Sequence, residues 1–229
     1  MRDNAQTKRW IIAIDGPSGA GKSTVAKLLA KRLGYVVLDT GAMYRAVAFR
    51  AKQRGIYLED EERLSQLASS LQVTFQTMNG ELRVLCDGED VTEAIRSPDV
   101  SSLASDISKK EGVRGALVRL QREMGRHGGV ILEGRDIGTV VFPDANAKFY
   151  LDADAEERAR RRYEELVGKG VKVSFQETIE DVIRRDRNDM TRAISPLRKA
   201  RDAVVIDSTH LSVEEVVEKM IQVIRRTEN

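Results

Sequence analysis

Residues 16–23 constrain the fold more than any other part of this 229-residue chain. They read Gly-Pro-Ser-Gly-Ala-Gly-Lys-Ser and match every fixed position of the phosphate-binding pattern G-x-x-x-x-G-K-[ST]. In such a loop, backbone N–H groups converge on a triphosphate, the lysine reaches its outer phosphates, and the hydroxyl takes one Mg²⁺ position. The sequence therefore predicts a nucleotide-binding loop in which Lys22 and Ser23 have these two roles.

The residues on either side of the loop have the patterns of a strand and a helix. Residues 10–14 are rich in β-branched side chains, and residues 22–33 place Val25, Leu29 and Leu33 on one helical face. Strand, loop and helix form the order that the pattern requires. The alternative is a glycine-rich turn without a ligand, but such a turn does not need a lysine and a hydroxyl directly after its last glycine.

Four further segments have strand patterns, and helical patterns alternate with them. The segments are residues 35–38, 130–132, 147–151 and 203–206. This alternation predicts an α/β fold, a three-layer α/β/α P-loop architecture with a five-stranded parallel sheet. The five strands end in the acidic residues Asp15, Asp39, Glu133, Asp152 and Asp207. Because ligands bind beyond the carboxyl ends of parallel strands, we expect the functional site at that edge of the sheet.

A β-hairpin is predicted where residues 73–77 and 82–86 flank the dipeptide Asn79-Gly80. Antiparallel strands do not belong inside a parallel sheet, so we expect an inserted β-rich subdomain from about residue 72 to residue 100. Helices are predicted after it, near residues 99–108 and 112–126. Insertions of this kind usually add substrate contacts.

Three basic segments are candidates for binding anions. Arg45 lies near the start of a helix predicted at residues 41–54, where free backbone N–H groups attract an anion. An arginine-rich helix begins near residue 156, and Arg185, Asp189 and Arg192 share one face of a later helix. Taken singly, the Arg45 segment is better explained as a capped helix with a solvated arginine, and the other two segments are equally consistent with a salt-bridged solvent face.

Composition excludes several classes of function. Lys and Arg total 38 against 36 for Asp and Glu, so the net charge of +2 provides no field that would attract nucleic acid or a membrane. The single cysteine, Cys86, lies in an apolar segment and is expected to be a small core residue. Because the sequence shows no secretory segment, we expect the protein to be located in the cytoplasm. His127 and His210 are far apart and argue against a zinc site or a histidine triad.

Four motifs, in this order, resemble bacterial cytidylate kinases. They are residues 14–22, residues 38–45 (Leu-Asp-Thr-Gly-Ala-Met-Tyr-Arg), residues 134–144 (beginning Gly-Arg-Asp-Ile-Gly-Thr) and residues 185–192. The resemblance covers nearly the whole chain, and the β-rich insert is similar to the bacterial form rather than to the shorter eukaryotic UMP/CMP kinases. It implies a Mg²⁺-dependent, in-line transfer of a phosphoryl group from ATP to CMP and dCMP, without a covalent intermediate. We expect a monomer with no nucleic-acid or membrane partner.

The resemblance also implies a division of the chain. Residues 8–71, 128–155 and 173–229 would form the P-loop core, residues 72–127 the nucleoside-monophosphate-binding insert, and residues 156–172 a helical lid. The resemblance also implies that Ser23 and the nucleotide would bind Mg²⁺ directly, and that Glu133 would contact the ion through water. Glu133 stands where the family commonly has Asp, and Thr40 where it often has Ser, two departures that preserve the carboxylate and the hydroxyl.

The same resemblance implies the residues of the site. ATP-binding residues would be Gly16, Pro17, Ser18, Gly19, Ala20, Gly21, Lys22, Ser23, Thr24, Arg158, Arg161 and Arg162. Substrate-binding residues would be Thr40, Tyr44, Arg45, Ser105, Arg114, Arg135, Asp136, Arg185, Asp189 and Arg192. Among these, Arg45 and Arg135 would lie near the CMP phosphate, Ser105, Arg114 and Asp136 near cytosine, and Arg185 and Asp189 near ribose. The catalytic residues would be Lys22, Arg135, Arg161 and Arg185.

Two other classes of function are open to a chain with this loop. A kinase of a small hydroxylated metabolite, such as a shikimate or gluconate kinase, would use a carboxylate base, for which Asp39 is the candidate. The many arginines exceed what one hydroxyl acceptor requires. A GTP-driven switch or ATP-driven motor is the other class, but the guanine-reading sequence N-K-x-D and the switch sequence D-x-x-G do not occur in the chain.

Overall fold

The computed structural model of the protein describes residues 9–78 and 81–228. Its elements, in chain order, are β1 (Ile11–Asp15), α1 (Lys22–Leu33), β2 (Val36–Asp39), α2 (Thr40–Gln53), α3 (Glu61–Ser70), β3 (Val73–Met78), β4 (Glu81–Cys86), β5 (Glu89–Asp90), α4 (Pro98–Ile107), α5 (Glu111–Gly125), β6 (Val130–Gly134), β7 (Ala147–Asp152), α6 (Ala155–Gly168), α7 (Phe175–Thr191), β8 (Val204–Asp207) and α8 (Val213–Glu228). A 3-10 turn, Ala94–Arg96, precedes α4, and a π-helical turn, Ile137–Val141, follows β6. Within the described ranges, every helix is too short or too polar to cross a lipid bilayer.

The strands β2, β6, β1, β7 and β8 form one parallel sheet in that order, which confirms the predicted five-stranded sheet. Side chains of β1 alternate between its two faces. Ile12 and Ile14 pack with residues of α1 and α8, whereas Ala13 packs on the opposite face near Leu132. Helices cover both faces, which explains why β1 and β6 are apolar up to Asp15 and Glu133. The predicted strand ends differ from the observed ones by one or two residues.

The strands β3, β4 and β5 form a separate antiparallel sheet, in which Val73 pairs with Cys86 and Met78 with Glu81. This pairing confirms the predicted hairpin, whose turn, Asn79-Gly80, lies outside the described residues. Cys86 is fully buried, as expected of a core residue. The sequence did not predict β5 because this strand has only two residues, both acidic.

The second sheet shares one apolar core with α2, α3, α4 and α5. Within this core α2 packs against α4, and α3 packs against α5. Since α2 also contacts β6, it connects this unit to the main sheet. The packing is continuous from α2 to α5, so the boundaries assigned to the segments of the chain remain predictions.

The sequence pattern predicts that the helix carrying Arg185 starts at residue 179, but this helix, α7, begins four residues earlier, at Phe175. Ser174 caps it: the Ser174 hydroxyl accepts a hydrogen bond from the Glu177 N–H, and the Glu177 carboxylate accepts one from the Ser174 N–H. This reciprocal cap is encoded by the spacing Ser-x-x-Glu, a start signal upstream of the predicted one. The ring of Phe175 then packs edge-on against Tyr163 of α6, with 6.0 Å between ring centroids.

Candidate active site

A cavity of about 1010 Å³ opens at the carboxyl edge of the main sheet. Among the described residues, eleven Lys and Arg side chains and six Asp and Glu side chains line it. Lys22 lies in this cavity together with four arginines from separate parts of the chain: Arg45, Arg135, Arg185 and Arg192. The cavity therefore concentrates positive charge that the small net charge of the chain does not reveal. Its volume is at the upper end of the range for small-molecule sites.

Most of the predicted site residues line this cavity. They are Ser18, Gly19, Ala20, Gly21, Lys22, Ser23 and Thr24, Thr40, Tyr44, Arg45, Ser105, Arg114, Glu133, Arg135 and Asp136, and Arg161, Arg162, Arg185, Asp189 and Arg192. Gly16, Pro17 and Arg158 are not among the lining residues. The guanidinium of Arg158 instead binds the carboxylate of Asp186 and two backbone carbonyls. This placement differs from the predicted ATP contact because protein partners already satisfy the Arg158 side chain.

The phosphate-binding loop packs closely against β7. At Gly16, φ is 147°, and a Cβ atom would lie 2.0 Å from the carbonyl oxygen of Leu151, so only glycine fits. Lys22 begins α1, and its Nζ donates a hydrogen bond to the carbonyl oxygen of Pro17 at 2.6 Å. Burial lowers the pKa of Lys22 to about 7, and the charge of Arg135 adds to this effect. An anionic ligand beside Lys22 would restore its positive charge.

Two carboxylates lie at the ends of β2 and β6. The Asp39 carboxylate caps α2 by accepting hydrogen bonds from the Ala42 N–H and from Arg45 Nη2, both at 2.8 Å. Burial alone would raise the pKa of Asp39, but the Arg45 charge and these hydrogen bonds outweigh burial and hold the pKa below its usual value. Burial and the nearby Asp39 charge raise the pKa of Glu133 to about 7. The two acids therefore differ. Asp39 is a weak base because its hydrogen-bond partners stabilise the carboxylate, whereas Glu133 is a buried acid that a nearby cation would ionise.

Ion pairs orient several arginines in one part of the cavity, which we call the acceptor wall: Tyr44, Arg45, Ser105, Arg114, Arg135, Asp136, Arg185, Asp189 and Arg192. Arg135 Nε donates to Asp189 Oδ2 at 2.7 Å. Arg114 donates to the Asp136 carboxylate, and Arg192 Nη2 lies 3.8 Å from Asp136 Oδ1. Arg114, Arg135 and Arg192 therefore each have a carboxylate partner that fixes the direction of the guanidinium.

Asp15 anchors the turn next to the acceptor wall. Its carboxylate accepts hydrogen bonds from the N–H groups of Ile137 and Gly138, both at 2.8 Å. These two residues open the π-helical turn directly after Asp136. Burial raises the pKa of Asp15 to about 6, although the two N–H donors oppose this rise. The sequence identified Asp15 only as a strand end, because its partners are more than 120 residues away.

Several buried polar atoms of the acceptor wall have no hydrogen-bond partner among the described residues. They are Tyr44 Oη, Arg45 Nε, Ser105 Oγ, Arg114 Nε and Arg192 Nη2. The Arg114 guanidinium also lies over the Tyr44 ring, 5.6 Å from its centroid. Because each unsatisfied buried polar group costs about 1–3 kcal/mol, five of them on one wall indicate a polar ligand that satisfies them.

Helix α6 brings two arginines to the loop side of the cavity. Arg161 Nη2 donates to the carbonyl oxygen of Ser208 at 2.7 Å, and its Nε donates to Glu157 at 2.9 Å. Arg162 pairs with Glu165 at 2.8 Å. A Cβ atom on Gly21 would lie 3.9 Å from Arg161 Nη1, so this guanidinium is beside the phosphate-binding loop.

Two parts of the cavity were not identified from the sequence. Arg96 enters it from the 3-10 turn of the insert, and its charge is among those that lower the pKa of Asp39. No motif marks this arginine, whose ion-pair partner, Glu93, is three residues away. Residues 208–213 also line the cavity. They follow β8, so the rule that ligands bind beyond the carboxyl ends of strands was a usable signal.

The family model described as cytidylate kinase matches residues 12–226, a range that includes every residue lining the cavity. The chain belongs to the cytidylate kinase family. The cytidylate kinase of Geobacter sulfurreducens is 58% identical over 218 residues, which cover 95% of this chain and 94% of that protein. The cytidylate kinase of Bacillus subtilis is 47% identical over 219 residues, which cover 96% and 98% of the two chains.

Membership of the cytidylate kinase family confirms the resemblance that the four sequence motifs carry. Among solved structures, an uncharacterized protein from Eubacterium ventriosum has a TM-score of 0.53 and 12% sequence identity to this chain. The match covers 95% of this chain and 99% of that one. At such low identity, this likeness concerns the fold alone.

Nucleotide binding at pH 8 should be accompanied by proton uptake in this cytidylate kinase site. The pKa values of Lys22 and Glu133 are both about 7 without ligand, so both groups are largely deprotonated at pH 8. The phosphates of ADP favour the protonated form of each group and therefore raise both pKa values. Calorimetric titrations with ADP, without Mg²⁺, should give different enthalpies in HEPES and Tris buffers. In Lys22→Met, only the proton uptake due to Glu133 should remain. Equal enthalpies in the two buffers for the unmodified protein would contradict the expectation.

Proposed function

We propose that the protein transfers the γ-phosphoryl group of ATP to CMP and dCMP, giving CDP and dCDP. The observation that carries this proposal is the cavity itself, in which Lys22 faces Arg45, Arg135, Arg185 and Arg192 in a member of the cytidylate kinase family. The phosphate-binding loop and the arginines of α6 would be enough to bind one polyanion. A second set of arginines, on the acceptor wall, indicates a second phosphorylated ligand. We expect the protein to act as a monomer in the cytoplasm, without nucleic-acid or membrane partners.

The chemistry of the acceptor explains why the site holds arginines rather than a general base. A phosphate monoester has a second pKa of about 6, so the acceptor is already a dianion at neutral pH. One acceptor oxygen bonds to the γ-phosphorus while the bond from phosphorus to the departing ADP oxygen breaks, in line. The protein must hold two polyanions together, screen their repulsion and stabilise charge on the transferred group.

The donor nucleotide is assigned to the loop side of the cavity. Lys22 would contact the outer phosphates, and backbone N–H groups of residues 18–24 would surround them. Arg161 and Arg162 of α6 reach the same side of the cavity. The Arg161 guanidinium would exchange the carbonyl oxygen of Ser208 for a phosphate oxygen as the lid closes. Closure would also exclude water, which is a competing acceptor.

The acceptor nucleotide is assigned to the acceptor wall. Arg45 and Arg135 would contact its phosphate, while Arg185 and Asp189 would contact the ribose. Cytosine presents an amino group beside a ring nitrogen and a carbonyl oxygen. The Asp136 carboxylate accepts from that amino group, and the free Arg114 Nε–H is a donor for the other two atoms. Uracil has a carbonyl in place of the amino group, so a carboxylate at Asp136 disfavours it.

Ser23 and Glu133 fit a Mg²⁺ ion that is held mainly by the nucleotide. Both offer oxygen, the ligand that Mg²⁺ prefers, and a nearby cation would lower the raised pKa of buried Glu133. In the described part of the chain, no three Asp, Glu, His or Cys side chains form a metal site, so phosphates and water must supply most ligands. When bound, Mg²⁺ would neutralise charge on the β- and γ-phosphates.

The lowered pKa of Asp39 argues against a hydroxyl group as the phosphoryl acceptor. As a general base, this carboxylate would need a pKa near neutrality. Its two hydrogen bonds and the Arg45 charge instead hold its pKa below the usual value for aspartate. Asp39 is therefore a helix cap that orients Arg45, and the alternative acceptor class lacks a suitable base.

A substrate panel tests the proposed function. With ATP and Mg²⁺, CMP and dCMP should be phosphorylated with kcat/KM values at least about 10²-fold above those for UMP, AMP and shikimate. The physical reason is the hydrogen-bond pattern of cytosine, which only cytidine nucleotides match. Coupled detection of ADP measures each rate, and ATP alone serves as the control for hydrolysis. Equal rates for all nucleoside monophosphates would refute the assignment of the base-contacting residues.

A further inference from the structure

Arg158 contacts three parts of the fold at once. This residue lies in the first turn of α6, and only 5% of its surface is exposed. Its Nε donates to the carbonyl oxygen of Ala153 at 2.8 Å, and its Nη1 donates to the carbonyl oxygen of Ser18 at 3.0 Å. Its Nη2 lies 2.7 Å from Asp186 Oδ2. One guanidinium therefore joins the phosphate-binding loop, α6 and α7.

The phosphate-binding loop packs against α6 at the same place. At Gly19, φ is 79°, and a Cβ atom would lie 3.0 Å from both the Cβ and the carbonyl oxygen of Arg158. The backbone of Gly19 is thus in close contact with the first turn of α6, and Arg158 adds a hydrogen bond to the neighbouring residue. Arg158 therefore contacts the loop both through its backbone and through its guanidinium, although this side chain does not line the cavity.

Asp186 extends the connection to the acceptor wall. It is 8% exposed and lies on α7 between Arg185 and Asp189, which both line the cavity. The Asp186 charge also acts favourably on the guanidinium of Arg135. Its second oxygen, Oδ1, has no hydrogen-bond partner among the described residues. Without Arg158, a buried carboxylate would lose its paired cation in the helix that carries acceptor residues.

We propose that the Arg158–Asp186 pair is a positioning element that fixes the phosphate-binding loop relative to α7. The inference rests on the proposed kinase function, in which the loop holds the donor and α7 helps to hold the acceptor. In-line transfer requires the reacting atoms to approach within about 3–3.5 Å, and a displacement of about 1 Å costs about 10²-fold in rate. Arg158 would therefore act on the reaction without touching either nucleotide, unlike Arg161 and Arg162.

Three variants test this inference: Arg158→Met, Arg158→Lys and Asp186→Asn. The control is Arg184→Met, which removes an exposed ion pair with Asp181 from the same helix. We expect kcat to fall about 10²-fold in Arg158→Met and Asp186→Asn and about tenfold in Arg158→Lys, with no change in the control. The Kd for ADP, from calorimetry, should change less than about threefold in all four proteins, because Arg158 is not a nucleotide ligand.

Two results would overturn the positioning role. A loss of ADP affinity as large as the loss of kcat would make Arg158 a direct ATP ligand. An unchanged kcat in variants that fold, judged by circular dichroism, would reduce the pair to a structural contact. If Arg158→Met does not fold, Arg158→Lys and Asp186→Asn decide the question.

Hydrogen exchange separates a failure of this inference from a failure of the proposed function. If the unmodified protein does not phosphorylate CMP, the proposed function fails, but the connection between the loop and α7 is still measurable. Backbone amides of residues 18–21 should exchange faster in Arg158→Lys and Asp186→Asn than in the unmodified protein. Exchange equal to that of Arg184→Met would overturn the inference.

Discussion

Replacing Lys22 with alanine should lower kcat about 10³-fold while the protein remains folded. The ammonium group lies in the cavity beside the phosphate-binding loop, where it is placed to stabilise negative charge on the transferred phosphoryl group. The variant should unfold at no lower temperature than the unmodified protein. Burial lowers the pKa of Lys22 from 10.5 to about 7, so near neutral pH the charged lysine is disfavoured in the folded state relative to the unfolded state.

Steady-state rates with saturating ATP and CMP, together with thermal unfolding, measure both parts of this expectation. Lys31→Ala is the matched control, because Lys31 is an exposed lysine in the last turn of the same helix. Its kcat and unfolding temperature should match those of the unmodified protein. A Lys22→Ala enzyme with near-normal kcat would show that the loop lysine has no part in phosphoryl transfer.

Replacing Arg135 with methionine should reduce kcat/KM for CMP about 10³-fold or more, within the range lost when a transition-state arginine is removed. The same change leaves the Asp189 carboxylate without its 2.7 Å partner, so a second acceptor residue loses its orientation. ADP affinity should change much less, because Arg135 lies on the acceptor wall. Kinetics with varied CMP and calorimetry with ADP provide the two measurements.

Arg126→Met is the control for Arg135, because it removes an exposed arginine that pairs with Glu123 at the end of α5. We expect normal kinetics from this control. Equal losses of CMP use and ADP affinity in Arg135→Met would place Arg135 on the donor side and would contradict the two-sided site.

The main sheet was predictable because its signals are local. Largely apolar segments that end in acids mark the parallel strands, and four of the five segments are rich in β-branched residues. The start of α7 was also encoded, by Ser174 and Glu177, but was overlooked. Strand β5 was not predictable, since two consecutive acidic residues become a strand only through pairing with Leu85 and Cys86.

The sequence was enough to predict which residues form the site, but not the directions in which their side chains point. Arg158, Arg161 and Arg162 belong to one basic segment, and nothing in that segment distinguishes them. Their directions depend on distant groups: Asp186 and Ser18 draw Arg158 away from the cavity, whereas Ser208 holds Arg161 at its edge. Asp15 likewise anchors a turn that begins at Ile137, a relation that only the folded chain reveals.

The position of Asp186 among cavity residues has a consequence for redesigning this protein. Adjacent positions of α7 face different parts of the molecule: Arg185 and Asp189 line the cavity, and Asp186 pairs with a residue of α6. Grafting α7 from another phosphotransferase to change substrate choice would therefore import a foreign neighbour for Arg158. A successful chimera would have to transplant positions 158 and 186 together, even though the engineer's target is the nucleoside alone.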